Sequence, residues 1–198
     1  MNATSEGAGP LLARIAVDLR GPDRKTATAA FARVMERARA EEGAAELQRL
    51  LEAHTGLKPF LEGVFANSPY LAELAGRDPA RLARVLADDP AARIDALVAE
   101  TAAFAAIDEA ALMRRLRRVK QEAALAIGLA DLAGAWGTMA VTGALTRIAD
   151  ATLSAACRFC LAEAAARGKI ELPDPADPAK GSGWILLAMG KQGAFELN

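Results

Sequence analysis

Aromatic residues are scarce in this chain of 198: two Trp, one Tyr and six Phe, 5% of the total. A β-sandwich or barrel fills its core with aromatic and β-branched side chains, so the shortage argues against both. Cysteine and histidine are scarcer still, at two and one. A disulfide framework has nothing to build on, and a structural zinc site of four ligands cannot be assembled from Cys and His alone. Neither sign of charge dominates: 24 Lys+Arg stand against 25 Asp+Glu, a formal net charge of −1. A general nucleic-acid binder would carry a broad basic excess. No apolar run approaches the ~20 residues of a membrane span. The opening MNATSEGAGP has no basic region, and LLARIAVDLR is too short and too charged for the apolar core of a secretion signal. With two cysteines, this gives a cytoplasmic location as the expectation.

Alanine, by contrast, supplies about a quarter of the residues. It is the best helix former and lets helices approach closely. The length suits a single domain, or one domain with a piece of another, able to bury a core unaided by disulfides or metals.

The apolar spacing predicts a mainly α chain of seven or eight helices in an antiparallel assembly. A first helix is expected at Leu11–Leu19, stopped by Gly21-Pro22, and a second at Thr26–Ala40 with Phe31 and Val34 on one side. A third runs through Leu47, Leu50 and Leu51 to about Gly56. Ser68-Pro69, Asp78-Pro79 and Asp89-Pro90 each set a capping side chain before a proline, whose missing N–H costs nothing in a first turn. They predict helices at Pro69–Ala75, Pro79–Ala87 and Pro90–Ala105. Two longer helices follow. One starts at Asp108, with Leu112, Leu116, Val119, Ala123, Ile127 and Ala130 at intervals of three or four; after Gly134 and Gly137 the other runs from Val141 to Gly168.

Three domains follow: a helical region over 1–168, a Pro/Gly-rich linker over 169–183, and the incomplete start of another unit over 184–198. The linker LPDPADPAKGSG cannot continue a helix. WILLAMG then reads as a buried strand over Trp184–Met189. A lone strand has no ladder partner, so it is expected to pack on helices, self-associate or lack order. Gly190-Lys191-Gln192-Gly193 follows the strand, and AFELN has the makings of a helix. Two glycines let the main chain approach a phosphate, a helix start offers N–H groups, and Lys191 adds charge. This is no Walker A loop, since the four-residue gap before Gly-Lys and the following Ser/Thr are missing. Spacing alone leaves phosphate binding and an ordinary strand-to-helix turn equally open.

LLAMGKQGAFELN resembles the start of the nucleotidyltransferase core in the bifunctional glutamine synthetase adenylyltransferase/deadenylylase family, where a Ser-Asp-x-Asp-Leu run follows within a few residues. SPYLAELAGRDPARLARVL (Ser68–Leu86), LMRRLRRVKQEAALAIGLADLAG (Leu112–Gly134) and VTGALTRIADATLSAA resemble upstream stretches of the same family, in the same order. The departure is Gln192, where the resemblance leads one to expect Leu. The resemblance implies the front of the N-terminal half, which removes AMP from an adenylylated tyrosine of glutamine synthetase by phosphorolysis and gives ADP. The other half attaches AMP from ATP. It further implies an all-helical region leading into a truncated α/β nucleotidyltransferase core. Gly190, Lys191 and Gly193 would form its phosphate- and nucleotide-binding turn. Mg²⁺ would be held by aspartates expected beyond Asn198, so the chain alone is expected to be inactive. The implied partners are glutamine synthetase, ATP or ADP with phosphate, and a PII-type nitrogen-signalling protein, with no nucleic acid and no membrane.

Other candidates are weaker. Cys157 and Cys160 have CxxC spacing inside a helix and lack a second ligand pair, so free thiols are expected. His54 has no nucleophile or acid near it in sequence and reads as a helix-end residue. The basic run Arg114, Arg115, Arg117, Arg118 and Lys120 could hold a nucleotide phosphate, RNA or an acidic partner, but Glu109 and Glu122 flank it, and a solvated face is the plainer expectation. Asp174 and Asp177 precede the strand and are not a catalytic pair. Two alternatives stand beside the enzyme: a non-catalytic helical interaction module, in which the Gly-Lys turn is only a connection, and a different nucleotidyltransferase.

Overall fold

The computed structural model describes residues 8–16, 19 and 23–197. Among them are eight α-helices: α1 (Arg24–Ala38), α2 (Ala44–Ala53), α3 (Leu57–Asn67), α4 (Pro69–Arg77), α5 (Pro79–Ala87), α6 (Pro90–Ala103), α7 (Glu109–Leu132) and α8 (Thr138–Ala166). No strand occurs among the described residues, and the class is mainly α.

The proline-marked starts form as their sequence requires. The Ser68 hydroxyl accepts the Leu71 N–H at 3.3 Å, and Asp78 accepts that of Arg81 at 2.8 Å. Asp89 accepts those of Ala91 and Ala92 at 2.9 and 3.0 Å. Each satisfies donors that a first turn leaves without intrahelical partners. Asp23 does the same for α1 through Thr26, at 2.8 Å. The bonds from the Thr26 hydroxyl and N–H hold the Asp23 carboxyl below its ordinary range. At the far end, Gly168 takes a left-handed φ of 67° and the Lys169 N–H returns to Ala164 O at 2.9 Å, closing α8.

The chain divides into two compact units. The first joins residues up to Ile94 with Gln121–Val141. In it α1 packs on α3 and α4, and α2 packs on α5. Phe31 and Phe65 stack at 6.2 Å between centroids. Leu47, Leu61, Val64, Leu82, Leu86, Leu125 and Leu129 are fully buried. The second unit joins Asp95–Lys120 with the chain from Thr142 onward. There Arg115 pairs with Glu100 at 2.8 Å and lies over the Phe104 ring, while Arg147 pairs with Asp95.

Two expectations in the first unit are corrected. The first helix is only a 3-10 turn at Leu11–Arg14; residues 17 and 18, and the expected Gly21-Pro22 stop, lie outside the described residues. Its main chain bonds elsewhere: Gly9 N–H to the Asp89 carboxylate at 2.8 Å, Leu11 N–H to Asp88 O and Ala16 N–H to Ala133 O, both at 3.0 Å. The Arg14 guanidinium adds a bond to Ala135 O at 2.6 Å. A donor spent on a distant carbonyl is not available to an i−4 ladder. The second correction is α3, a helix where none was expected. LKPFLEGVFAN carries Pro59 and Gly63, both poor residues for a helix interior, yet Pro59 falls in the first turn, where no N–H is needed. A Cβ on Gly63 would overlap the carbonyl of Leu19, so the glycine serves a close packing contact. The remaining helix ends fall within a few residues of expectation, as at Ala103 rather than Ala105 for α6.

Candidate functional site

The residues singled out for phosphate chemistry lie at the carboxy-terminal side of the second unit. Beyond α8, residues 169–182 form successive turns, one of them closed by Asp174, which accepts the Ala176 N–H at 3.1 Å and pairs with Lys180 at 3.2 Å. Asp174 is thus a linker-closing residue. The buried strand expected at Trp184–Met189 is corrected: residues 184–189 form neither strand nor helix, since a lone extended segment has no ladder to join, and Trp184, Ile185, Leu187 and Met189 are all more than two-thirds exposed.

The main chain then reverses at Gly190. Its φ of 60° is left-handed, a conformation that costs side-chain-bearing residues about 1–2 kcal/mol. Ala194 N–H bonds Gly190 O at 3.0 Å and Glu196 N–H bonds Lys191 O at 2.8 Å, so residues 190–196 close as one coiled turn rather than as the helix that AFELN suggested. Gly193 is required for a different reason: a Cβ there would sit 2.5 Å from the Ala188 carbonyl oxygen. The two glycines therefore do separate work, one turning the chain and the other letting it fold back against its own approach. Lys191 lies exposed between them. Gln192, the departure from the family pattern, donates from Nε2 to Asp150 Oδ1 on α8 at 2.9 Å. That contact joins residues 42 apart and has no signature in the sequence.

This arrangement can present a cation and a tightly turned main chain to an anion. No group of three or more His, Cys, Asp or Glu that could hold a metal occurs among the described residues. Cys157 is half-buried and Cys160 exposed on α8, both free thiols. His54 follows α2, half-buried, with its N–H bonded to Leu50 O.

The basic run lies on α7. Arg114, Arg117, Arg118 and Lys120 are exposed, whereas Arg115 is spent on Glu100. Glu122 flanks the run in sequence but does not share its solvated face. Its carboxylate is buried and accepts from Arg93 Nε at 2.7 Å, with Arg84 Nε at 3.5 Å. No described helix is long and apolar enough to cross a membrane.

Comparison with known proteins covers most of the chain. The family model described as glutamate-ammonia ligase adenylyltransferase matches residues 60–198. The chain is similar to a bifunctional glutamine synthetase adenylyltransferase/adenylyl-removing enzyme of Xanthobacter autotrophicus, at 52% identity over 137 residues, 69% of this chain and 14% of that protein. It is likewise similar to the enzymes so named from Bradyrhizobium diazoefficiens, at 48% over 156 residues, and Rhodopseudomonas palustris, at 45% over 157 residues. Each of these two matches covers 78% of this chain and 16% of the relative. The chain thus spans about one seventh of the length of the curated relatives it matches. No solved structure matches it.

Proposed function

Because the chain belongs to the glutamate-ammonia ligase adenylyltransferase family, we propose that it is the leading helical part of an enzyme that attaches AMP to glutamine synthetase and removes it. We assign it to the removing half, which releases AMP from adenylyl-tyrosine by phosphorolysis. In that reaction a phosphate oxygen attacks the AMP phosphorus, the bond to the tyrosine oxygen breaks, and the products are ADP and the free phenol. Two anions must meet, so the enzyme has to lower their repulsion with fixed positive charge and oriented donors.

The observation that carries this reading is the turn at Gly190–Gly193. A left-handed residue and a Cβ-free close approach bracket an exposed lysine, which is what a main-chain phosphate cradle requires. Lys191 would neutralise incoming phosphate, and Gly190, with open space where a Cβ would stand, would let the backbone come near it. Mg²⁺, as the family resemblance implies, would supply charge at the transferring phosphoryl group. The described residues do not offer it a ligand set. ATP and ADP as ligands, a PII-type regulator and a cytoplasmic location belong to the same reading.

The test is phosphate-dependent release of ADP from adenylylated glutamine synthetase by the whole enzyme carrying Lys191→Ala. Losing a charge-assisted hydrogen bond is worth about 1.5–3 kcal/mol, so the KM for phosphate should rise about 10- to 100-fold while that for glutamine synthetase stays put. An unchanged phosphate dependence would remove Lys191 from the site. The 198-residue chain by itself is expected to show no Mg²⁺-dependent nucleotide binding, and micromolar binding in calorimetry would contradict that.

A further inference from the structure

The most conspicuous unused feature outside the turn is the cationic stripe of α7. Arg114, Arg117, Arg118 and Lys120 recur at helical spacing and span seven residues, about 9 Å along the axis. Among the described residues none of the four has an ion-pair partner. The nearby acids are otherwise engaged or distant along the helix: Asp108 accepts the Ala111 N–H at 2.6 Å, and Glu122 is buried against Arg93 and Arg84. The opposite face of the helix carries Leu112, Val119 and Ala123 into the interior. The stripe is therefore held in place by the core, with its charges left unneutralised on a formal net charge of −1 for the whole chain.

The shape of this surface narrows its occupant. Small phosphorylated ligands are taken in concave sites that bury most of their surface, and an exposed row on a helix flank is not one. Single-stranded nucleic acid needs stacking platforms, and the residues interleaved with the stripe include no aromatic side chain. A membrane surface would need an apolar flank to insert beside the charges, and Met113 is the one large apolar residue exposed among them. What remains is an extended anionic face on another protein, where several charges act together over a Debye length of ~8–10 Å.

We infer that the Arg114–Lys120 stripe is a docking face for an acidic protein surface, and that the protein is glutamine synthetase. The second clause rests on the function proposed above; the first does not. Acting at the rim of an interface, the stripe sets encounter rate and register more than final affinity.

The experiment measures binding of the 198-residue chain to three immobilised probes: glutamine synthetase, a glutamate-rich peptide, and a single-stranded oligonucleotide of the same net charge. The variants are the triple reversal Arg114→Glu, Arg117→Glu, Arg118→Glu and the corresponding triple change to Gln. Both replacements are good helix formers at exposed sites, and circular dichroism verifies that the fold is kept. The expected result is binding of glutamine synthetase and peptide that weakens at least about tenfold on reversal, weakens less with Gln, and falls as salt rises. Stripe-dependent binding of the peptide without binding of glutamine synthetase would keep the docking face and overturn the named partner. Binding of glutamine synthetase that ignores the stripe would overturn the inference and leave the proposed function standing. Stripe-dependent binding of the oligonucleotide alone, or no stripe-dependent binding of any probe, would overturn the docking face itself.

Discussion

Asp89 ties together three parts of the first unit, and its loss is the sharpest test of how that unit is held. Its carboxylate caps α6 through Ala91 and Ala92, takes the Gly9 N–H at 2.8 Å, and lies 3.8 Å from the Arg14 guanidinium. Partial burial pushes its pKa up, but the donors of Gly9, Ala92 and Ala91, with the Arg14 charge, outweigh this and leave it below the ordinary carboxylate value. Asp89→Ala removes a helix cap, worth about 1 kcal/mol, and strips the acceptor from the Gly9 N–H, worth about another 1–2 kcal/mol. Because the bonds share one carboxylate, the sum is not additive, and a loss of about 2–3 kcal/mol at neutral pH is expected. Asp89→Asn keeps a capping oxygen and should lose about 1 kcal/mol or less, through the missing charge beside Arg14. The pH dependence separates the two effects. A carboxyl whose folded pKa is lowered binds its proton more tightly when unfolded, so its contribution is complete above the unfolded value of about 3.9. It disappears as pH falls through the folded value. Urea unfolding of wild type and both variants between neutral pH and about pH 2 should show the Asp89→Ala deficit flat near neutrality and shrinking in acid. A deficit under about 0.5 kcal/mol at neutral pH would refute the account, and so would one unchanged in acid.

Other perturbations test different parts of the fold. Glu122→Ala leaves Arg93 half-buried without its 2.7 Å partner and should cost about 3–5 kcal/mol. The joint change Glu122→Leu with Arg93→Met should recover most of that loss in chemical denaturation, and failure to recover would mean the pair does more than neutralise itself. Gly43→Ala meets two obstacles at once, a φ of 87° and a Cβ that would overlap Ala80 at the start of α5. It should lower stability by about 2–4 kcal/mol, read from thermal or urea unfolding; a cost near zero would mean that α2 and α5 move apart freely.

What the sequence made readable follows from how far each structural cause reaches along the chain. The starts of α4, α5 and α6 were plain because cap, proline and first turn lie within four residues of one another. The glycines of the 190–193 turn were legible by type, since both a left-handed φ and a close approach call for the same residue. Which glycine met which need was not legible, and nor was the bond from Gln192 to Asp150. The segment at Leu11–Arg14 looked helical because its apolar spacing is local, while the carbonyls that capture its donors are at Asp88 and Ala133. α3 was hidden by the reverse error, since Gly63 answers to Leu19 and not to its own neighbours.

The same distinction decides how the basic run of α7 is understood. Spacing along one helix makes Glu122 a counter-charge beside Arg118, and the run then looks like a balanced, solvated face. Folding turns that carboxylate inward to Arg93 and Arg84, which stand 29 and 38 residues earlier in the chain. Burial strengthens its attraction to those two guanidinium groups and removes it from the solvent side. The exposed cations are left without the neutralisation that sequence proximity suggested. An acid committed to a distant partner is thus what converts an ordinary amphipathic helix into a surface with an uncompensated charge. Freeing that acid tests the link: in Arg93→Met and Arg84→Met together, Glu122 loses both partners, and its carboxylate should turn outward toward Arg118, four residues back on the same side of α7. Salt-dependent binding of the acidic peptide should then weaken without any change to the stripe itself. Unaltered binding would mean that Glu122 never bore on the charge of that face.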